Sequence, residues 1–374
     1  MSALISAFSL GDDGPTVAIK DTIDIAGMPT TGASRALANA APARQHASVV
    51  QSLLDARWRI IGKANMHELA FGMTGINDHT GTPVNPQDAA RIPGGSSSGS
   101  ASAVGLGLAD AALGTDTGGS IRGPAACCGV VGLKPTFGRV SRHGVAPAES
   151  TLDCVGPFAR DVRMIVETMG AITPAFDKQA ALQRVTACRI GVARVDAQAD
   201  LLAAVERAPQ RAGFASHVIE LAGLTEAFQA GLAIINVETW TAFGHLVGSG
   251  LLGADLEARL RAASQTTPDQ VSAAERVRRS FTDAVDHALE NVDVIVMPTL
   301  PALPITIDDA RRGVSVIAMS SLIRPFNLSG HPALSLPLPI DGSPLKAGLQ
   351  IIGRHGADEQ VCAVAAAFEA ALVD

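Results

Sequence analysis

Val17-Ala18-Ile19 is an unbroken apolar run that closes on Lys20-Asp21, the pattern of a buried strand. ASVVQSLLDAR, at 47–57, instead spaces its apolar positions as a helix does, and Arg59-Ile60-Ile61 returns to strand character. The chain therefore opens strand, helix, strand. The alternation resumes later: RIGVARV (189–195) reads as strand, LLAAVERAPQRA (201–212) as helix, HVIEL (217–221) as strand and TEAFQAGLAIINVETWTAF (225–243) as helix. Thr267-Pro268-Asp269-Gln270 offers a capping hydroxyl, a proline at the first helical position and a glutamine three residues after the cap. A helix is predicted from there toward Glu290, with the apolar Asp293–Met297 segment as the strand that follows. Such alternation predicts an α/β protein, a sheet flanked by helices. No linker or block of like charge divides residues 1–374, so one domain is expected.

Composition narrows the function classes. A chain of 374 residues that is 47% hydrophobic and 17% charged can bury a large core. Its net charge of -7, without a clustered Lys/Arg stripe, argues against nucleic acid or an anionic membrane as partner. A small-molecule substrate is expected instead. Cys127, Cys128, Cys154, Cys188 and Cys362 form no CxxC pair, have no metal-type spacing and are odd in number, which points to a reducing compartment. MSALISAFSLGDDG lacks the basic start and apolar run of a signal peptide, and no stretch is long enough to span a bilayer. The expected location is the cytoplasm.

The chemistry concentrates in GGSSSGSASAVGLGLADAALGTDTGGSIRGP, residues 94–124, where two serine-bearing glycine turns flank a small-residue helix pattern (100–112) and a strand. The two turns can therefore meet. Gly118 and Gly119 allow successive amides before Ser120 to point into one concavity, a cradle for a developing oxyanion. Lys20 ends an apolar strand, where a lysine is costly unless paired or neutral. Burial would lower its pKa and make it a candidate base, whereas a carboxylate such as Asp21 would raise it. Alternatives stand beside this reading. Gly95-Ser96-Ser97-Ser98-Gly99 also fits the G-x-S-x-G elbow, with Ser97 as nucleophile and His143, His287 or His331 downstream, but the preceding NPQDAARIPG is a proline-containing loop rather than a strand. Neither glycine cluster ends in the GK[ST] of a phosphate loop. His67, His79 and the other histidines show no paired metal-ligand spacing, and FNLSGHPALSLP around His331 reads as a turn and a buried strand.

These stretches resemble the amidase signature family. The resemblance rests on GGSSSG, GTDTGGSIRGPA and GLKPT, and continues through ANMHELAFGMTGIN, GTPVNP, LDCVGPFARDV, RPFNLSGHPALSLP and GLQIIG, so it covers most of the chain. It implies a single-domain fold with a central mixed β-sheet covered by helices on both faces. It also implies an amidase acting on linear amide C–N bonds: Ser120 as nucleophile, Ser96 as proton relay, held by an unusual cis peptide bond, and Lys20 as base. The amides of Thr117, Gly118, Gly119 and Ser120 would form the oxyanion hole, Ala70, Gly72 and Met73 would line the substrate cleft, and Ser97, Asp116 and Arg122 would support the turns. No cofactor and no metal are implied. Two departures from the family pattern are a short lead before VAIK and a short region between about 175 and 290. The acidic surface and shortened frame favour a stand-alone enzyme that hydrolyses a small-molecule amide through a seryl acyl-enzyme, with room for a homodimer. The alternative is a protein like the amidotransferase A subunits, which release ammonia for a partner.

Overall fold

The structure is a computed structural model that describes residues 3–372; Met1, Ser2, Val373 and Asp374 of the expected 1–374 span lie outside the described residues. Its strands are β1 (Leu4–Gly11), β2 (Thr16–Lys20), β3 (Arg59–Ala64), β4 (Ala111–Asp116), β5 (Val131–Lys134), β6 (Cys154–Ala159), β7 (Arg189–Ala193), β8 (Ala215–Ile219), β9 (Val294–Pro298), β10 (Ala333–Pro339) and β11 (Lys346–Ile352). They form one 11-stranded sheet in the order β1-β3-β2-β4-β6-β5-β10-β11-β9-β7-β8. β3, β2 and β4 run parallel, as do β9, β7 and β8, while the strands between β4 and β9 pair antiparallel. The sheet is therefore mixed. Central strands such as β4, β6 and β9 are buried along their whole length, which is why they read as continuous apolar runs. β1 escapes the sequence pattern because it is an edge strand, antiparallel to β3, whose LISAFSLG is only partly buried.

Strand alternation sorts the core into opposite faces. Val17 and Ile19 of β2 join one apolar cluster with Val49, Val50 and Leu53 of the helix Ser48–Asp55. Ala18 joins another with Ala64, Ala101, Ala103 and Ala112. The second face is lined by alanines, so the helix Ser98–Gly105 can lie close against the sheet. Its Gly99 sits where a Cβ would fall 2.4 Å from the Asn65 backbone. This helix ends earlier than its pattern predicts, because Gly107 turns the chain at φ +71° and Ala111-Ala112 already belong to β4. The helix predicted after Thr267 spans Pro268–Asn291 and opens on a reciprocal cap: Gln270 N donates to Thr267 Oγ1 (3.3 Å) and Thr267 N to Gln270 Oε1 (2.8 Å). Among the described residues no helix is long and apolar enough to cross a membrane, and all five cysteines are buried free thiols.

Candidate active site

Lys20 is the last residue of β2 and shares the face of Ala18, so its side chain projects toward the loop that leads into the helix Ser98–Gly105. Its Nζ lies 2.8 Å from Ser96 Oγ, 2.8 Å from Thr115 Oγ1 and 3.4 Å from the Thr115 carbonyl, and the residue has no exposed surface. Burial brings its pKa down to about 7, against the opposing pull of Asp153 and Asp116. Asp21, expected to be the carboxylate that raises this pKa, faces the other way. It pairs at 3.1 Å with Lys63, whose register partner is Ile19, and accepts from the amides of Thr31 and Ala33. Lys63 is equally deep in the protein but is neutralised by its carboxylate. Lys20 has hydroxyls for neighbours.

Ser96 follows a cis Gly95–Ser96 peptide bond and is fully buried, its carbonyl accepting from His67 N at 2.9 Å. The two glycine turns touch, with Ser97 N donating to the Ser120 carbonyl at 3.2 Å. Ser97 Oγ is itself occupied between the Thr115 carbonyl (3.2 Å) and the Thr115 amide (3.4 Å), and no strand precedes it between Thr82 and Ser97. It braces the turn against β4 and lacks the geometry of a nucleophile elbow. Among the described residues no histidine bonds to either turn through its ring.

The second turn is held by an ion pair with no exposed surface. Asp116 Oδ1 accepts from Gly119 N (2.7 Å) and Arg122 Nη2 (3.0 Å), and Oδ2 accepts from Ile121 N (3.0 Å) and Arg122 Nε (3.1 Å). Arg122 continues to the Ile323 carbonyl, Gln350 Oε1 and Asn327 Oδ1, and Asn327 Nδ2 returns to Asp116. Burial alone would raise the Asp116 pKa; the Arg122 charge and hydrogen bonds, with those of Asn327, hold it well below the usual carboxylate range. Of the four amides expected to face an oxyanion, Gly119 N is thus engaged with Asp116. Those of Thr117, Gly118 and Ser120 donate to no other described residue. Gly119 itself has φ +111°, and a Cβ there would fall 2.1 Å from Ile323 Cδ1, so no side chain fits.

Ser120, Thr117 and Gly118 open onto a cavity of about 260 Å³, and Ala70, Gly72 and Met73 all line it. Its remaining walls come from segments that local patterning does not connect to the turns: Leu232, Ile235 and Asn236, then Arg259 and Ala262, then Val316, Ile317, Ser320 and Arg324. A larger cleft of about 610 Å³ shares Arg259, Val316 and Ile317 with it but contains neither serine turn. Arg324 is the least expected of these residues. Its guanidinium lies 4.5 Å over the Phe228 ring and donates to Ser320 Oγ (2.7 Å) and the Phe228 carbonyl (3.3 Å), while its buried Nε has no partner. The only sequence signal for it is an arginine standing in an otherwise apolar SSLIRPFNL run.

A model of the Amidase family matches residues 13–362. The chain belongs to the amidase family. Among curated relatives of this family member is the A subunit of the glutamyl-tRNA(Gln) amidotransferase of Methanospirillum hungatei JF-1, 34% identical, with 96% of this chain and 93% of the relative covered. That alignment runs over 415 positions, more than the 374 residues of this chain, so the relative carries insertions that this member lacks. The crystal structure of the corresponding Thermotoga maritima protein superposes with a TM-score of 0.83 at 30% identity, covering 98% of this chain and 87% of the other. A chain described as part of a vestigial protein complex that reveals the origins of an s-triazine catabolic enzyme superposes with a TM-score of 0.88 at 28% identity, covering 96% and 84%.

These relatives correct the expected partners. A small-molecule amide as the sole partner of a stand-alone chain or a homodimer, with no nucleic acid, does not describe relatives named as subunits of an enzyme on glutamyl-tRNA, or a neighbour solved as a protein complex. Net charge misled here because one member of an assembly can leave contact with an acidic macromolecule to the others.

Proposed function

We propose that this chain is the amide-cleaving subunit of a larger assembly, with Ser120 as nucleophile, Ser96 as proton relay and Lys20 as base. The observation that carries the reading is the buried Lys20 Nζ at 2.8 Å from Ser96 Oγ, with no carboxylate in contact and the Ser120 turn packed alongside. A neutral amine has two hydrogens and one lone pair. Thr115 Oγ1 and the Thr115 carbonyl can accept both hydrogens, which turns the lone pair toward the Ser96 hydroxyl. As Ser120 Oγ bonds to the amide carbon, its proton passes to Ser96 Oγ and the Ser96 proton to Lys20 Nζ. The negative oxygen is met by the unengaged amides of Thr117, Gly118 and Ser120. The C–N bond then breaks, the proton returns through Ser96 to the leaving nitrogen, and water repeats the steps on the acyl-enzyme.

The relatives' names favour a subunit whose released ammonia is used by a partner, glutamyl-tRNA being the acceptor named for them. Purifying the tagged chain at native level from cells that carry its gene should yield a stoichiometric second protein, and adding that protein to the isolated chain should raise ammonia release. A chain that purifies alone, with ammonia release indifferent to any fraction of the lysate, would overturn the assembly reading while leaving the triad intact.

Arg324 supports a further feature of the amide donor. Among the described residues the cavity beside Ser120 is lined by two arginines and no carboxylate, and burial lowers the Arg324 pKa to about 10 without removing its charge near neutrality. A buried cation whose Nε lacks an acceptor favours a donor carrying a negative group, because such a group would remove the desolvation cost. Arg324→Met should raise KM for carboxylated amides by roughly 10- to 100-fold, the worth of a charge-assisted hydrogen bond, and leave neutral amides of the same size unaffected. Equal losses on both substrate classes would make Arg324 structural.

A further inference from the structure

Away from the serine and lysine, three side chains distant in sequence meet at one place. Asp286 comes from the helix Pro268–Asn291, His331 from the turn before β10 and His355 from the turn after β11. His331 Nε2 lies 3.0 Å from Asp286 Oδ1, His355 Nδ1 lies 3.6 Å from the same oxygen, and the three atoms all fall within 4.8 Å of one another. The two imidazoles face each other with centroids 3.8 Å apart.

The other nitrogen of each ring is already held by one residue. His331 Nδ1 lies 3.0 Å from Ser329 Oγ and His355 Nε2 lies 2.8 Å from the Ser329 carbonyl. A carbonyl only accepts, so His355 carries a proton on Nε2. In the neutral ring its Nδ1 then presents a lone pair toward the Asp286 carboxylate. Two acceptors converging in this way require something positive between them. Histidines that ligate metals are held in the same manner, the remote nitrogen fixed by a carbonyl or hydroxyl and the near one free to coordinate.

We propose that Asp286, His331 and His355 form a site for a divalent transition-metal ion of the zinc class, with solvent completing the coordination. Bonds of about 2.0–2.1 Å from a tetrahedral ion to nitrogen and oxygen separate neighbouring ligand atoms by about 3.3 Å. The observed 3.0 and 3.6 Å bracket that spacing, so only small side-chain adjustments are needed. Two imidazoles with one carboxylate select such an ion over calcium or magnesium, which prefer oxygen ligands throughout. The ion would act as a clamp, tying the long helix to the turns that flank β10 and β11. It takes no part in amide cleavage, since none of its three ligands lines the cavity at Ser120. Sequence spacing conceals the site, because the ligands are brought together by strand order rather than by a local motif.

The test uses the full chain, stripped with a chelator and then titrated with zinc chloride in a calorimeter, with Co²⁺ as a spectroscopic substitute. One equivalent of zinc should bind, Co²⁺ should give the visible absorption of a tetrahedral site, and zinc should raise the melting temperature by roughly a few degrees. His355→Ala and Asp286→Asn alter exposed side chains and should fold; each should weaken zinc binding by roughly tenfold or more and abolish the thermal shift. No binding to the wild-type chain would overturn the proposal and leave a histidine–carboxylate pair without a metal. Binding that persists unchanged in both variants would equally overturn it, by placing the ion elsewhere.

Discussion

Ser120→Ala leaves a folded chain whose amide turnover falls by about four to six orders of magnitude, the loss expected when the nucleophile of a coupled catalytic unit is removed. The fold should survive because the structural contact of Ser120 is made by its backbone: the carbonyl accepts from Ser97 N, and alanine keeps that bond. Its side chain opens onto the cavity. Ser97→Ala is the informative contrast. Ser97 Oγ bridges the backbone of Thr115, so its removal leaves buried polar groups unpaired and costs about 1–3 kcal/mol of stability without removing the nucleophile. Ammonia release, thermal melting and mass spectrometry of a slow acylating substrate separate the two serines. An adduct on Ser97, or wild-type turnover by folded Ser120→Ala, would sink the assignment.

Turnover rises as pH climbs through about 7, because Lys20 has its pKa lowered to that value by burial and acts only when neutral. The sign follows from the two protonation states. Below the folded-state pKa the amine is protonated and has no lone pair for Ser96; above it the lone pair is free and activity reaches a plateau. An ordinary lysine would not reach that state until about pH 10.4, so a plateau beginning near neutrality is a direct reading of the burial. Lys20→Arg keeps a cation that does not deprotonate in the working range, and Lys20→Ala removes the partner of Ser96; both should lose roughly a thousandfold or more in turnover. Wild-type turnover by folded Lys20→Arg would reduce Lys20 to a structural residue. A profile that falls with rising pH would likewise remove it from the role of base.

The lysine also shows where pattern reading stops. VAIK announces a buried strand ending in a cation, since apolar runs report burial and strand ends are local features. Yet Lys20 and Lys63 are both buried lysines on neighbouring strands, and only the alternation of β2 decides that Asp21 turns toward Lys63 while Lys20 faces Ser96, 76 residues away. The position of Asp153, whose charge opposes the low pKa, is equally a matter of strand neighbours, β6 lying beside β4. Arg324 reaches the cavity from more than 200 residues beyond Ser120, and Asn327 and Gln350 reach the Asp116–Arg122 pair from a similar remove.

From sequence alone came the elements with strong local signals: the apolar strands, the Thr267 cap, the glycine turns around Ser96 and Ser120, and the ordered motifs that resemble the amidase signature family. Edge strand β1 was not among them, because a half-exposed strand has no continuous apolar run to announce it. The tertiary structure decided which polar groups meet: Lys20 with Ser96 and Thr115, Gly119 with Asp116, the cavity with its unpaired arginine, and Asp286 with His331 and His355. The reason is that burial is encoded residue by residue, through hydrophobicity and turn chemistry. The meeting of distant side chains depends on strand order and register, which are properties of the whole sheet and leave no periodic trace in any one segment.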